Sequence, residues 1–281
     1  MKIFLGDNQF LGINHASEFR AIERAIKFQD IFAISEIVKS AQLLGYDGSF
    51  CTLHEKFFPF YQLCSSDDVL QNMPIHACLP YAHKYSEMVT QHGWLGSLKH
   101  LGKNNAGNLI LGGVSAYLGK DLTRLIRGVI GSELSFVKDL NLESIYIQNV
   151  ATDFLLGLGA FDVLSEIVKQ INTHFNKQCG LITFNPIMAV KFIKDYKLDD
   201  IVTVCTSINV SGFRMNPSRE EVEYNIKESG LKFMGMSIFA SGVSSPTESL
   251  DYIKSLNLDS VVLGASSPAY LKKNINILKN I

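Results

Sequence analysis

Residues 231–280, LKFMGMSIFASGVSSPTESLDYIKSLNLDSVVLGASSPAYLKKNINILKN, hold two apolar runs, FMGMSIFASG and VVLGASSP, each passing through a small-residue loop into a helix. Ser245-Pro246-Thr247-Glu248 reads as a capping box with proline at the first helical position, and Ser267-Pro268 repeats the cap and proline. Strand, short loop and helix, twice over, is how a parallel β/α barrel ends, and its last two strand-to-helix loops are the usual place for a phosphate. Free amides at both helix starts suit an anion. Gly242 and Gly264 let the backbone approach a ligand closely, and Ser241, Ser266 and Ser267 add hydroxyl donors. Plain helix capping explains these residues one at a time, but not a glycine at both strand ends.

Working outward, apolar strand-like runs alternate with helical patterns along all 281 residues, and no proline-rich or serine-rich linker divides them. The expectation is one α/β domain spanning 1–281, a (β/α)8 TIM-type barrel. Nine segments read as strands: 2–6, 48–53, 75–80, 108–112, 144–149, 180–185, 201–209, 232–239 and 260–265. That is one more than a closed eight-stranded ring needs, and either 108–112 or 2–6 is expected as an added ribbon. Between them, 161–175 puts Phe161, Val163, Leu164, Ile167, Val168 and Ile171 on a broad apolar face. Residues 17–44 hold one or two helices broken near Asp30, 81–101 holds another, and 83–107 reads as a loop insertion.

Composition narrows the partners. With 47% hydrophobic residues the chain can bury a large core, and a net charge of −1 provides neither a basic stripe for nucleic acid nor a polybasic membrane patch. No apolar run approaches the roughly 20 residues that span a bilayer. The start, MKIFLG, is too short an apolar stretch for a secretory signal, so a soluble, cytoplasmic protein with a small-molecule partner is expected. Five cysteines, at 51, 64, 78, 179 and 205, are odd in number and unpaired in spacing, as for reduced thiols. His76 and Cys78 alternate on one strand face near Cys51 and His54, but no HExxH or paired CxxC occurs, and no metal is expected.

From about Ser144 onward, the segments SIYIQNVATD, GLITFNP, TVCTSIN, REEVEYNIKESGLKFMGMSIFASG and SVVLGASSPAYLKKNINIL follow the order of pieces in the aldo-keto reductase superfamily, which the C-terminal half resembles. The most specific piece is the ending, with Gly264, Ala265, Ser266, Leu271 and Asn274. The resemblance implies a barrel whose last turn and helix contact the phosphate-bearing half of a nicotinamide cofactor, NADP(H) or NADH. It also implies an aspartate on strand 2 with a tyrosine five residues on, a lysine on strand 3 and a histidine on strand 4. The nearest positions here are Cys51, Lys56, Leu79 and Gln148, so none of the four carries over. A tyrosine acid made stronger by a nearby lysine is what makes hydride delivery to a carbonyl productive.

Barrel enzymes place working residues at the C-terminal strand ends. The first end, 6–15, carries Asp7, Asn8, Gln9, Asn14 and His15 between apolar residues and reads either as ligand contacts or as turn and helix caps. After the second come His54, Glu55 and Lys56; His54 suits proton transfer, with Glu55, Lys56 or Asp7 tuning it. Tyr81, His83 and Lys84 follow the third. Gln148, Asn149, Asn185 and Asn209 then form a neutral set of donors and acceptors suited to hydroxyl or carbonyl groups, each also able to tie a loop. Arg214 suits a carboxylate or phosphate. These features point to an enzyme acting on a small polar carbonyl or sugar-type substrate. A lyase or isomerase of a phosphorylated sugar or keto compound is one alternative, and a non-catalytic binding protein descended from reductases is another.

Overall fold

A computed structural model describes residues 1–13, 17–79 and 122–279. Asn14, His15, Tyr81, His83, Lys84, the candidate strand 108–112, the candidate helix 81–101 and the stretch 83–107 lie outside them. Eight parallel strands close into a barrel in chain order: β1 (Lys2–Gly6), β2 (Gly48–Thr52), β3 (Ile75–Leu79), β4 (Leu142–Ile147), β5 (Gln178–Ile182), β6 (Val202–Ser207), β7 (Lys232–Met236) and β8 (Ser260–Leu263). Residues 2–6 are therefore a barrel strand and not an added ribbon. They pair with β2 at Phe4↔Gly48 on one side and with β8 at Lys2↔Ser260 on the other, closing the ring.

Helices cover the barrel: α1 (Glu18–Lys27), α2 (Ile31–Leu43), α3 (Phe58–Ser65), α4 (Asp68–Gln71), α5 (Leu122–Leu134), α6 (Asn149–Gly157), α7 (Phe161–Thr173), α8 (Pro186–Asp195), α9 (Arg219–Glu228), α10 (Pro246–Lys254) and α11 (Pro268–Lys279). The break near Asp30 is a cap: its carboxylate accepts from the Phe32 amide at 2.9 Å and starts α2, a contact whose loss typically costs about 1 kcal/mol. The capping box at α10 does not form. Ser245 makes no side-chain cap bond and offers only its carbonyl, to the Ser249 amide at 2.9 Å. At α11 the Ser267 hydroxyl does accept, from the Tyr270 amide at 3.4 Å.

Alternation along each strand sorts the side chains into two cores. Phe4, Phe50, Cys78, Tyr146, Ile182, Cys205 and Met234 fill the barrel. Ile3, Leu5, Ala77, Leu79, Ile145, Leu181, Val204, Phe233, Val261 and Leu263 face outward and are buried under the helices. Inside, Phe50 and Tyr146 meet edge to face at 4.7 Å, and room for the tyrosine comes from Gly180, where a Cβ would lie 2.0 Å from two Tyr146 ring carbons. Phe4 packs against His76 with the rings tilted and their centres 4.2 Å apart, and His76 Nδ1 is 2.6 Å from the Ser144 hydroxyl. All five cysteines are free thiols, four of them buried. Among the described residues no helix is long and apolar enough to cross a membrane.

Candidate functional site

Strand parity decides which groups reach the barrel mouth. Thr52, Cys78 and Gln148 continue the inward rows of β2, β3 and β4, whereas Cys51 and Leu79 belong to the outward core. The two positions that the resemblance sets against a catalytic aspartate and lysine therefore point under the helices. Their inward neighbours, a threonine and a cysteine, are equally unlike those groups.

Asp7 follows the same parity. It faces outward into a cavity between the barrel wall and α2 and α3, which Cys51, Tyr61 and Cys64 also line. Its Oδ2 accepts the Thr52 amide at 2.6 Å, joining the ends of β1 and β2. Burial raises its pKa to about 6, against the bond from Thr52 that favours the charged form. Burial, and then the Asp7 charge, push the Cys51 thiol well up. Gln9 closes the seam beside Asp7: its Nε2 donates to the Gly6 carbonyl at 2.5 Å, and its Oε1 lies where a side chain on Gly264 would have to go, 2.8 Å from that Cβ position. Asn8 is exposed and accepts through its carbonyl from the Ile13 amide at 2.9 Å.

His54 caps the short helical turn that follows β2. Its Nδ1 accepts the Lys56 amide at 2.8 Å, so the neutral ring carries its proton on Nε2. Lys56 tunes the imidazole through its backbone, not its charge, because its ammonium donates to the Phe10 carbonyl at 3.0 Å and holds the β1 loop. Partial burial lowers the Lys56 pKa. Glu55 is exposed on the same turn.

The carboxamides divide. Gln148 and Asn149 start α6 with half-buried side chains. Asn185 is the cap of α8, its Oδ1 accepting from the Met188 amide at 3.3 Å. Asn209 is fully buried and is consumed inside its own loop, accepting from the Phe213 amide at 2.7 Å and the Ser211 hydroxyl at 2.9 Å while donating to the Phe213 carbonyl at 2.8 Å. Arg214 stands over the rings of Phe184 and Phe213, at 5.4 and 5.1 Å.

Among the described residues of the mouth, the β7 loop holds the most non-glycine residues at positive φ. Ser237, Ala240 and Ser241 all adopt positive φ (56°, 44° and 63°) without being glycine, a conformation that costs of order 1 kcal/mol or more per residue. Gly242, at φ 92°, is open to solvent, and a Cβ there would touch nothing within 4 Å. The Ser237 hydroxyl sits 3.3 Å from that of Ser207 at the end of β6. Beside it, Gly264 is exposed while Ser266 and Ser267 are half-buried at the start of α11, and Lys27 of α1 donates to the Ser266 carbonyl at 2.7 Å. Further down that helix, Leu271 is fully buried and Asn274 nearly so, bonded to Tyr46 rather than presented to the mouth.

Thr52, Ser207, Ser237 and Lys27 thus join the mouth without having stood out in the sequence. Parity of β2 and β6 could have found the first two, whereas nothing local marks Ser237's conformation or Lys27's reach. Among the described residues, no three His, Cys, Asp or Glu side chains lie close enough to hold a metal ion.

No protein-family model and no curated protein matches the chain. Solved structures do. A Pseudomonas aeruginosa protein assigned to the aldo-keto reductases superposes with a TM-score of 0.62 at 11% identity, over 99% of this chain and 90% of that one. An aldo-keto reductase from a deep-sea metagenome library gives 0.56 at 10%, over 98% and 84%. Aldose reductase from Giardia lamblia gives 0.53 at 12%, over 99% and 87%. At these identities the likeness concerns the backbone, and it extends to the front half of the chain, where the sequence carried no resemblance. The chain shares the closed (β/α)8 barrel fold of these aldo-keto reductases.

Proposed function

We propose that the chain is a barrel enzyme of aldo-keto reductase type, acting at the mouth on a small polar carbonyl or sugar-type substrate. In this reading a phosphate, from NADP(H) or from the substrate, rests on Ser241-Gly242 and Gly264–Ser267. The observation that carries it is the β7 loop: three strained non-glycine residues around an open glycine, beside a second loop that brings Lys27 to Ser266. His54, with its proton on Nε2, donates to a carbonyl or hydroxyl oxygen, and Gln148, Asn149, Ser207 and Ser237 orient the ligand. When bound, a nicotinamide supplies hydride.

The inward strand ends Thr52, Cys78 and Gln148 favour a second reading, a lyase or isomerase of a phosphorylated sugar or keto compound, because none of them matches the proton-relay types of a carbonyl reductase. Calorimetric titration with NADPH, NADH and a panel of sugar phosphates separates the two. Nicotinamide binding that is lost in Ser266→Asp supports the first, and binding of sugar phosphates alone supports the second. If none of these ligands binds, both are overturned, leaving a non-catalytic barrel.

A further inference from the structure

We propose that the groove between α6 and α8, on the outer rim of the β5 and β6 ends, binds an oxyanion carried on an apolar body, a carboxylate or phosphate attached to an aryl or alkyl group. The groove measures about 620 Å³. Phe184, Ile187, Met188 and Pro217 form apolar walls, and Lys191 stands on its α8 side.

Among the described residues one cation lines this groove and a second lies over its Phe184 wall, and none of the ion pairs uses either. Lys191 is one. Arg214 is the other, its guanidinium carbon over the ring of Phe184, a groove wall, at 5.4 Å and over that of Phe213 at 5.1 Å. No hydrogen bond or ion pair among the described residues engages its N–H groups, which leaves them for an oxyanion. The Arg214 backbone is left-handed, at φ 57°, a strained state for arginine that points to a functional constraint. Among the described residues one carboxylate lines the groove, Asp153, which accepts from the Thr183 hydroxyl and from the Phe184 amide at 3.0 Å and keeps its negative charge, so that with Lys191 and Arg214 the groove is net positive. Asn185 spends its oxygen on the Met188 amide and keeps its amide hydrogens as donors. Donors and positive charge therefore surround apolar walls, which is the pattern that recognises an amphipathic anion. The site uses the β5 and β6 loops rather than the β7 and β8 loops, and it stands independently of the function proposed above.

Calorimetric titration of the full chain with phenyl phosphate, benzoate and inorganic phosphate tests the site. Saturable binding of an aryl anion, tighter than that of inorganic phosphate, is expected. It should weaken tenfold or more in Arg214→Gln and severalfold in Lys191→Gln, whose exposed position leaves the fold intact. The tighter of the two aryl ligands identifies the head group as carboxylate or phosphate. The proposal is overturned if neither aryl anion binds, if inorganic phosphate binds as tightly as phenyl phosphate, if Lys191→Gln and Arg214→Gln bind like the parent, or if Ser266→Asp abolishes binding instead.

Discussion

Replacing Asp7 by asparagine should stabilise the protein at alkaline pH and do nothing near pH 4. The carboxyl is 8% exposed and titrates at about 6 in the fold against 3.8 in its ordinary state. Its pKa is raised, so the folded chain holds this proton more tightly than the unfolded one does, and the ionised form carries a penalty. That penalty is fully present above pH 6 and disappears as pH falls toward 3.8. At 1.36 kcal/mol for each pH unit it amounts to about 3 kcal/mol. Asparagine keeps an oxygen for the Thr52 amide and removes the charge. Urea unfolding at pH 8 should therefore show Asp7→Asn more stable by about 3 kcal/mol, with an unchanged m-value and a melting temperature higher by roughly 6 °C or more. At pH 4 the two proteins should unfold together. A difference of the same size at both pH values, or a less stable variant at pH 8, would refute the burial argument.

His76 should act in the opposite sense. Burial lowers its pKa from 6.5 to about 4, so stability falls by about 3 kcal/mol as pH drops through that window; Asp7→Asn should show this fall in urea titrations, while Asp7 masks most of it in the parent. Gly180→Ala should cost about 3 kcal/mol, because its Cβ would meet the Tyr146 ring, and adding Tyr146→Leu should restore part of the loss in the same assay. The bond between Lys194 and Asp199 joins two side chains that are 46% and 38% exposed, and Lys194→Met should shift stability by no more than about 0.5 kcal/mol.

The barrel could be read from the alternation of apolar runs with helical patterns, and its ending from residues 231–280, because both are local signals. The sequence pattern overextends the strand ends. Asn149 and Asn185 belong to helix starts and Asn209 to a self-contained loop, since polar residues just past a ladder resemble strand ends until their hydrogen bonds are known. Asp7 showed as a polar residue among apolar neighbours, but its direction follows from parity with Phe4 and Leu5, which only a fixed register supplies. The left-handed Ser237, Ala240 and Ser241 left no mark because nothing in a serine or alanine announces positive φ. Lys27 meets Ser266 only because the ring closes.

That closure sets a timing problem for synthesis. β1 needs β8 as its second neighbour, and at roughly 5–20 residues per second the ribosome delivers β8 on the order of tens of seconds after β1. Throughout that interval one edge of the apolar segment KIFLG is open to any passing strand. A nascent chain therefore carries that unpaired edge until Ser260–Leu263 emerges to seal the ring.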